Sequence, residues 1–344
     1  MDLRILRILL YILILLIFLE TVVEIRAYFR GYDTILFGKN VALKNQNKNK
    51  TADLKFGPNE LFPFRSPIST VQKSSGVIRI WIASSSFTED IYLPVEKIYP
   101  TILGELLNRN EHKFDILNAA HAGENIYRNC LNLQELGPVW KPDYVLLYQM
   151  TLEISLISRI VFGNEIAPLA LNESTNNKTS RQISWAQRTL EETTIYKHLK
   201  EYVTSILKRS KILQHTMGEE GEREFENLIR YFLGVCKRLN VKPILCTFAT
   251  SHLKSDLPNL PLKIRNWWFV YNDYLSEKGC FDTLERFNKV ITKIADEENC
   301  MLIDLKSEIG GRKEYFRDFV HFSIEGHRAV AELLYKSLND VELK

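Results

Sequence analysis

No two of the five cysteines (Cys130, Cys236, Cys246, Cys280, Cys300) stand in CxxC spacing, which leaves a zinc cluster unsupported. The odd count also rules out a complete disulfide framework. Cys236 and Cys246 lie inside apolar patterns and read as small core residues. Net charge is nearly missing too. Forty-five Lys and Arg against 42 Asp and Glu leave a formal +3 and an isoelectric point near 8.4, too little to argue for a nucleic-acid partner. At 344 residues and 25% charged, the composition is that of an ordinary globular chain, enough for one large domain or two small ones.

One segment departs from that composition. From Ile5 to Val23 the chain is almost wholly apolar, broken by Arg7 near its start and by Glu20 and Thr21 near its end. About 20 apolar residues cross a bilayer as a helix, and this run reaches that length if Arg7 and Glu20 turn their charges toward the interface. No small-x-small cleavage site follows, so residues 1–24 are expected to be an uncleaved, single-pass transmembrane helix. A cleaved signal peptide and a buried helix are the competing readings. Arg4 and Arg7 on one side face Arg26, Arg30 and Lys39 on the other, so the positive-inside rule does not decide the orientation. An extracytoplasmic placement of the remaining chain is the expectation. Residues 25–76, polar and rich in Asn, Lys and Pro over 40–75, read as a juxtamembrane spacer.

From Val77 onward, short apolar runs alternate with helical patterns. The strand-like runs are VIRIWIA (77–83), FDILNAA (114–120), DYVLLYQ (143–149), KPILCTF (242–248) and MLIDL (301–305), continuously apolar as strands buried on both faces should be. Apolar stripes at helical spacing run over 95–107, 225–239, 284–294 and 330–338. This alternation predicts an α/β fold, a mostly parallel five-stranded sheet between two helical layers, with ligands bound beyond the strands' C-terminal ends. Residues 155–222, including the polar NESTNNKTS and a predicted helix over 184–208, do not fit the alternation and read as an insertion covering one edge of the site.

Candidate reactive groups fall at those strand ends. The first strand runs into Ser84, Ser85 and Ser86, and Asp318 and His321 (DFVH) precede the last amphipathic helix. A hydroxyl, an imidazole and a carboxylate in these places can form a nucleophile, a general base and its orienting group. Each piece also has a plainer reading. A serine triplet can simply cap the next helix, His321 can be a hydrogen-bonded surface histidine, and Gly123 can serve only a positive φ. His121 has no second metal ligand at a useful spacing, and Trp267-Trp268-Phe269 reads as packing or as the wall of an apolar acyl pocket.

Taken in order, IASSSFTED, NAAHAGEN, PDYVLLYQMTLEI and DFVHFSIEGH resemble four blocks of the SGNH (GDSL-type) hydrolase family, over about residues 77–340. The resemblance implies an SGNH/flavodoxin-like three-layer sandwich over 77–344. It implies a Ser86–His321–Asp318 triad, an oxyanion hole from the backbone N–H groups of Ser86 and Gly123, and neither cofactor nor metal. Two departures stand out. Ser84 and Ser85 occupy positions where the family carries glycine or aspartate, so Ser85 is a rival nucleophile. Leu152, followed by Glu153, falls where the family's asparagine would donate to the oxyanion; Gln149 and Thr151 are nearby substitutes. The implied function is a membrane-anchored serine esterase acting on a small-molecule, lipid or carbohydrate ester. An O-acyltransferase using the same residues and a degenerate, non-catalytic binding protein are the alternatives.

Overall fold

The structure, a computed structural model, describes residues 11, 15, 17–22, 25, 64–66, 71–110, 114–163 and 213–340. Residues Asp53–Thr175 and Ile212–Lys344 make up one compact unit. Among the described residues no helix is long and apolar enough to cross a membrane. Most of the run from Ile5 to Val23, and with it the expected anchor, lies outside the described residues.

Five strands form one sheet: β1 (Ile78–Ala83), β2 (Phe114–Asn118), β3 (Tyr144–Leu147), β4 (Lys242–Cys246) and β5 (Met301–Ile303). Their order is β2-β1-β3-β4-β5, and every pairing is parallel. The five apolar runs are all strands. β1 ends where its run ends, at Ala83, and the other four end two residues early on the C-terminal side, where the chain turns toward the site.

Among the described residues of this unit the α-helices are α1 (Ser86–Glu89), α2 (Tyr99–Leu107), α3 (Ile126–Trp140), α4 (Thr151–Gly163), α5 (Gly218–Leu239), α6 (Leu262–Tyr271), α7 (Glu277–Glu297), α8 (Leu305–Ile309) and α9 (Ile324–Asp340). Right-handed crossovers put the β1-to-β2 helix on one face and the later crossover helices on the other. Helix contacts agree: α9 packs on α2, whereas α5 packs on α3, α4 and α7. The strand order reverses between β1 and β3, and at such a switch point the strand ends diverge and open a crevice. Of the 155–222 stretch, the start belongs to α4 and the end opens α5, while 164–212 lie outside the described residues.

The far end of the sheet is closed by charge. Arg79 in β1 is fully buried; its guanidinium donates to Asp115 (2.9 Å) and to the carbonyls of Trp140 (2.6 Å) and Val71 (3.0 Å). Asp143 accepts the Arg79 backbone N–H at 2.6 Å and pairs with Lys73. Lys73 and Val71 belong to the stretch that composition marks as spacer, and so do Phe64 and Arg65. The Phe64 ring meets Trp81 and Trp140 edge-on at 5.1 and 4.6 Å, and Arg65 exchanges backbone and side-chain hydrogen bonds with Asn118. These residues are part of the packed unit, because two buried tryptophans and a strand end supply the surface they need.

Edge-on aromatic pairs add about 0.5–1.5 kcal/mol each beyond the area they bury. Phe64→Ala should therefore lower the unfolding free energy by about 1–3 kcal/mol in urea, with an unchanged denaturant slope. An unshifted midpoint would mean that the segment is not docked in solution.

Candidate active site

The three serines after β1 have three separate fates. Ser84 is fully buried; its hydroxyl donates to the Tyr148 carbonyl (2.6 Å) and meets Thr88 Oγ1 (2.7 Å), tying the end of β1 to the end of β3. Ser85, also buried, takes the extended N-cap position of α1 and donates its hydroxyl to the His121 carbonyl at 3.2 Å. Ser86, the first residue of α1, lines a cavity of about 290 Å³ and lies with its Oγ 3.0 Å from His321 Nε2. Ser86 is the serine that faces the histidine.

The spacing of DFVH has a local cause. Asp318 Oδ1 accepts the backbone N–H groups of Val320 and His321, both at 2.9 Å, which folds the loop so that the His321 ring returns to the same carboxylate. Nδ1 of that ring lies 2.8 and 3.0 Å from the two carboxylate oxygens. With an acceptor-only carboxylate on Nδ1, the proton resides there and Nε2 is left to accept from the Ser86 hydroxyl. Burial pushes the Asp318 carboxyl up, but hydrogen bonds from the His321 ring and the two backbone N–H groups outweigh it and leave the group below its ordinary value. Asp318 is thus an anion aimed at a histidine, the histidine an acceptor aimed at a hydroxyl.

Gly123 lines the same cavity with φ +84°, in the region that disfavours side chains, although a Cβ there would meet nothing within 4 Å. Its conformation, not lack of room, calls for glycine. Neither its N–H nor that of Ser86 has an acceptor among the described residues, so both donors remain for a ligand. Leu152 and Thr151 also line the cavity, at the start of α4. Gln149 does not: its amide is buried and donates to the Glu124 carbonyl at 2.8 Å. Ile91, Tyr92, Trp267, Val320, Ser85, Ala122 and Glu89 also line the cavity. Trp267 faces the cavity while stacking edge-on against Trp268, and Trp268 is buried against Phe319 at 4.7 Å; one member of that aromatic pair lines the cavity and the other packs the core.

The position of α1 against the His321 loop is fixed by groups that the motifs did not single out. Asp90 ends α1 with φ +38° and has a fully buried carboxylate. Arg317 donates to it at 2.6 and 2.7 Å, and His327 Nε2 lies 3.0 Å away. His327 Nδ1 accepts the Tyr99 backbone N–H at 3.1 Å, which places the ring proton on Nε2. Burial holds His327 below its ordinary value despite Asp90, so the ring is neutral. Arg65 donates to the carbonyls of Glu89, Asp90 and Leu93. In the sequence, Asp90 and His327 stand 237 positions apart and carry no mutual signal; only a carboxylate directly after a suspected nucleophile turn could have drawn attention.

A second buried acid lies behind the oxyanion side. Glu153, in the first turn of α4, accepts the Ile126 N–H at 2.6 Å and so caps α3. Burial raises its pKa from 4.5 to about 7. Its Oε2 and Gln149 Oε1 are both buried acceptors without a partner among the described residues. A proton on Glu153 relieves that mismatch by making one of the two acceptors a donor.

No family model matches the sequence, and no curated protein does. Solved structures similar in fold are SGNH/GDSL-type esterases and lipolytic proteins at low identity. An acetyl xylan esterase is 18% identical over 76% of this chain and all of its own, with a TM-score of 0.44. A putative lipolytic protein of the G-D-S-L family from Desulfitobacterium hafniense is 12% identical over 76% of this chain and 99% of its own, at 0.42. A GDSL-like lipase from Bacteroides thetaiotaomicron is 12% identical over 87% and 97%, at 0.41. Scores this low carry no argument about chemistry, which rests on the residues themselves.

Glu153 binds a proton in the folded state at pH values where the unfolded chain has lost it. Its contribution to stability is whole below about 4.5 and disappears as the pH rises through about 7. Glu153→Gln, whose amide oxygen can still cap α3, should gain on the wild type by about 1–3 kcal/mol between pH 5 and pH 8 in urea unfolding. A pH-independent difference would show that Glu153 titrates normally.

Proposed function

We propose that this chain is a serine esterase in which Ser86 attacks the carbonyl carbon of an ester. His321 Nε2 takes the hydroxyl proton, and Asp318 holds the ring and stabilises its charged form. The tetrahedral oxyanion is received by the N–H groups of Ser86 and Gly123. His321 then protonates the departing alcohol, leaving an acyl-serine that water cleaves by the same proton path in reverse. A sugar hydroxyl in place of that water makes the same site an acyltransferase. The single observation that supports this reading most is the 3.0 Å and 2.8 Å alignment of Ser86, His321 and Asp318 beside a cavity that Gly123 also lines.

The cavity favours a neutral ester. Its described walls include Glu89 but neither lysine nor arginine, and Ile91, Tyr92, Leu152, Trp267 and Val320 give an apolar seat for an acyl or sugar face. Leu152 also supports a second reading, a non-catalytic binding protein, because leucine cannot supply the donor that an asparagine would. One such donor is typically worth about 10²–10³ in turnover, roughly 2.7–4 kcal/mol. Attachment to a membrane through Ile5–Val23, with the catalytic unit on the extracytoplasmic side, completes the proposal.

Three measurements bear on this. A fluorophosphonate probe should label the full chain and leave Ser86→Ala unlabelled; a wild type that resists labelling would favour the binding protein. On p-nitrophenyl acetate, Leu152→Asn should raise kcat about tenfold or more with little change in KM, since an oxyanion donor acts mainly in the transition state. Lower turnover in that variant would mean that another group, such as the Thr151 hydroxyl, already fills the role. An alkaline carbonate wash should leave the full-length chain in membranes, and recovery of a form starting beyond Val23 would refute the anchor.

A further inference from the structure

His121–Ala122–Gly123–Glu124 is a tight turn, closed by the Glu124 N–H donating to the His121 carbonyl at 3.2 Å. The positive φ of Gly123, +84°, is what the third residue of a type II turn requires. The Gly123 N–H belongs to the central peptide of this turn, the one peptide that the closing hydrogen bond leaves unpaired. Turn types I and II differ mainly by a rotation of that peptide, roughly 150–170° as measured by the torsions on either side. The direction of the donor therefore depends on which turn is held, and a flip would aim it away from the cavity.

Two side chains from the nucleophile segment grip the peptide immediately before it. The Ser85 hydroxyl donates to the His121 carbonyl at 3.2 Å, and Glu89 Oε2 accepts the Ala122 N–H at 2.7 Å. That carbonyl and that N–H are the two polar ends of one planar unit, so the plane is held at both ends. Glu89 stands one turn after Ser86 on α1, and its other oxygen faces His121 Nδ1 at 3.4 Å. The helix that carries the nucleophile thus also carries the handle of the oxyanion donor.

We propose that Ser85 and Glu89 are positioning residues that keep the Gly123 N–H aimed at the oxyanion by clamping the His121–Ala122 peptide, an inference that rests on the esterase reading above. It gives Ser85 a task other than attack and explains why a carboxylate is retained in an otherwise uncharged cavity wall. Glu89 remains ionised because hydrogen bonds from His121 and the Ala122 N–H outweigh the upward push of burial.

The test compares Glu89→Ala, Glu89→Gln and Ser85→Ala with the wild type and Ser86→Ala, using fluorophosphonate labelling rates together with kcat and KM for p-nitrophenyl acetate. Misplacement of a reacting group by about 1 Å can cost about 10²-fold. Glu89→Ala should lose about 10- to 100-fold in kcat and in labelling rate, with KM within about twofold. Glu89→Gln keeps an oxygen for the Ala122 N–H and should stay within about fivefold of the wild type, which a dependence on the charge alone would not allow. Ser85→Ala should lose about 3- to 10-fold, again in kcat, and carries the test by itself if Glu89→Ala does not fold. Wild-type kcat in Glu89→Ala or Ser85→Ala, or equal losses in Glu89→Gln and Glu89→Ala, would overturn the clamp. A wild type that does not label, or a Ser86→Ala that does, would instead overturn the esterase reading and the clamp with it.

Discussion

Asp90 carries a carboxylate with no exposure to water, and the geometry around Ser86 depends on it. An unpaired charge in that position would cost several kcal/mol and would be neutralised or expelled. It is retained because Arg317 and His327 converge on it from the far end of the chain. Arg317 precedes Asp318 and also donates to the Phe322 carbonyl at 2.8 Å, so it braces the loop that presents His321. His327 lies in α9 and is fixed in turn by the start of α2. One anion thus joins the end of α1, the loop of His321 and the α2–α9 layer. The 3.0 Å separation between Ser86 and His321 spans two elements that this joint ties together.

The sheet does the coarser placement. Parallel strands bring their C-terminal ends to one edge, and the reversal between β1 and β3 opens a crevice there. Ser86 leaves β1, Gly123 follows β2 and Leu152 follows β3, so three crevice walls come from adjacent strands. The polar groups near the opposite ends of the strands, Arg79 with Asp115 and Lys73 with Asp143, pair with one another. The same sheet therefore has a closed end and an open one. The difference lies in whether the buried polar groups satisfy one another.

What was legible in the sequence follows from the range of the interactions concerned. All five strands were readable because burial on both faces leaves continuous apolar runs. Asp318 and His321 were readable because their geometry is made within four residues, by one carboxylate and two backbone N–H groups. Helix α3 left a weak signal: it buries Asn129 and Asn132 and contains Gly137 and Pro138, and the side-chain amide N–H groups of the two asparagines donate to Ser84, Asn125 and Glu124 rather than to solvent. Phe64 and Arg65 were hidden in a polar segment, since the tryptophans and carbonyls that hold them lie many residues away. Glu153 looked like a substitution beside a missing asparagine, whereas it caps a helix. The polar groups that are hardest to read are those whose partners lie in other layers.

The Asp90 joint also bears on how such a site can drift. Removing Arg317 or His327 leaves a buried anion with half its partners, and removing Asp90 leaves a half-buried cation facing a histidine donor. His327 is further restricted, because its ring must accept a backbone N–H on one side and donate to Asp90 on the other, which no lysine or arginine can do. Each single substitution passes through a folded state worse than either end. The three positions are therefore bound to one another in descent, and related chains should either keep all of them or have exchanged them together for a set of different chemistry. Ser86, His321 and Asp318 meet at one helix start and one loop, whereas Asp90, Arg317 and His327 join three elements of the fold, so the loss of any one of them falls on stability.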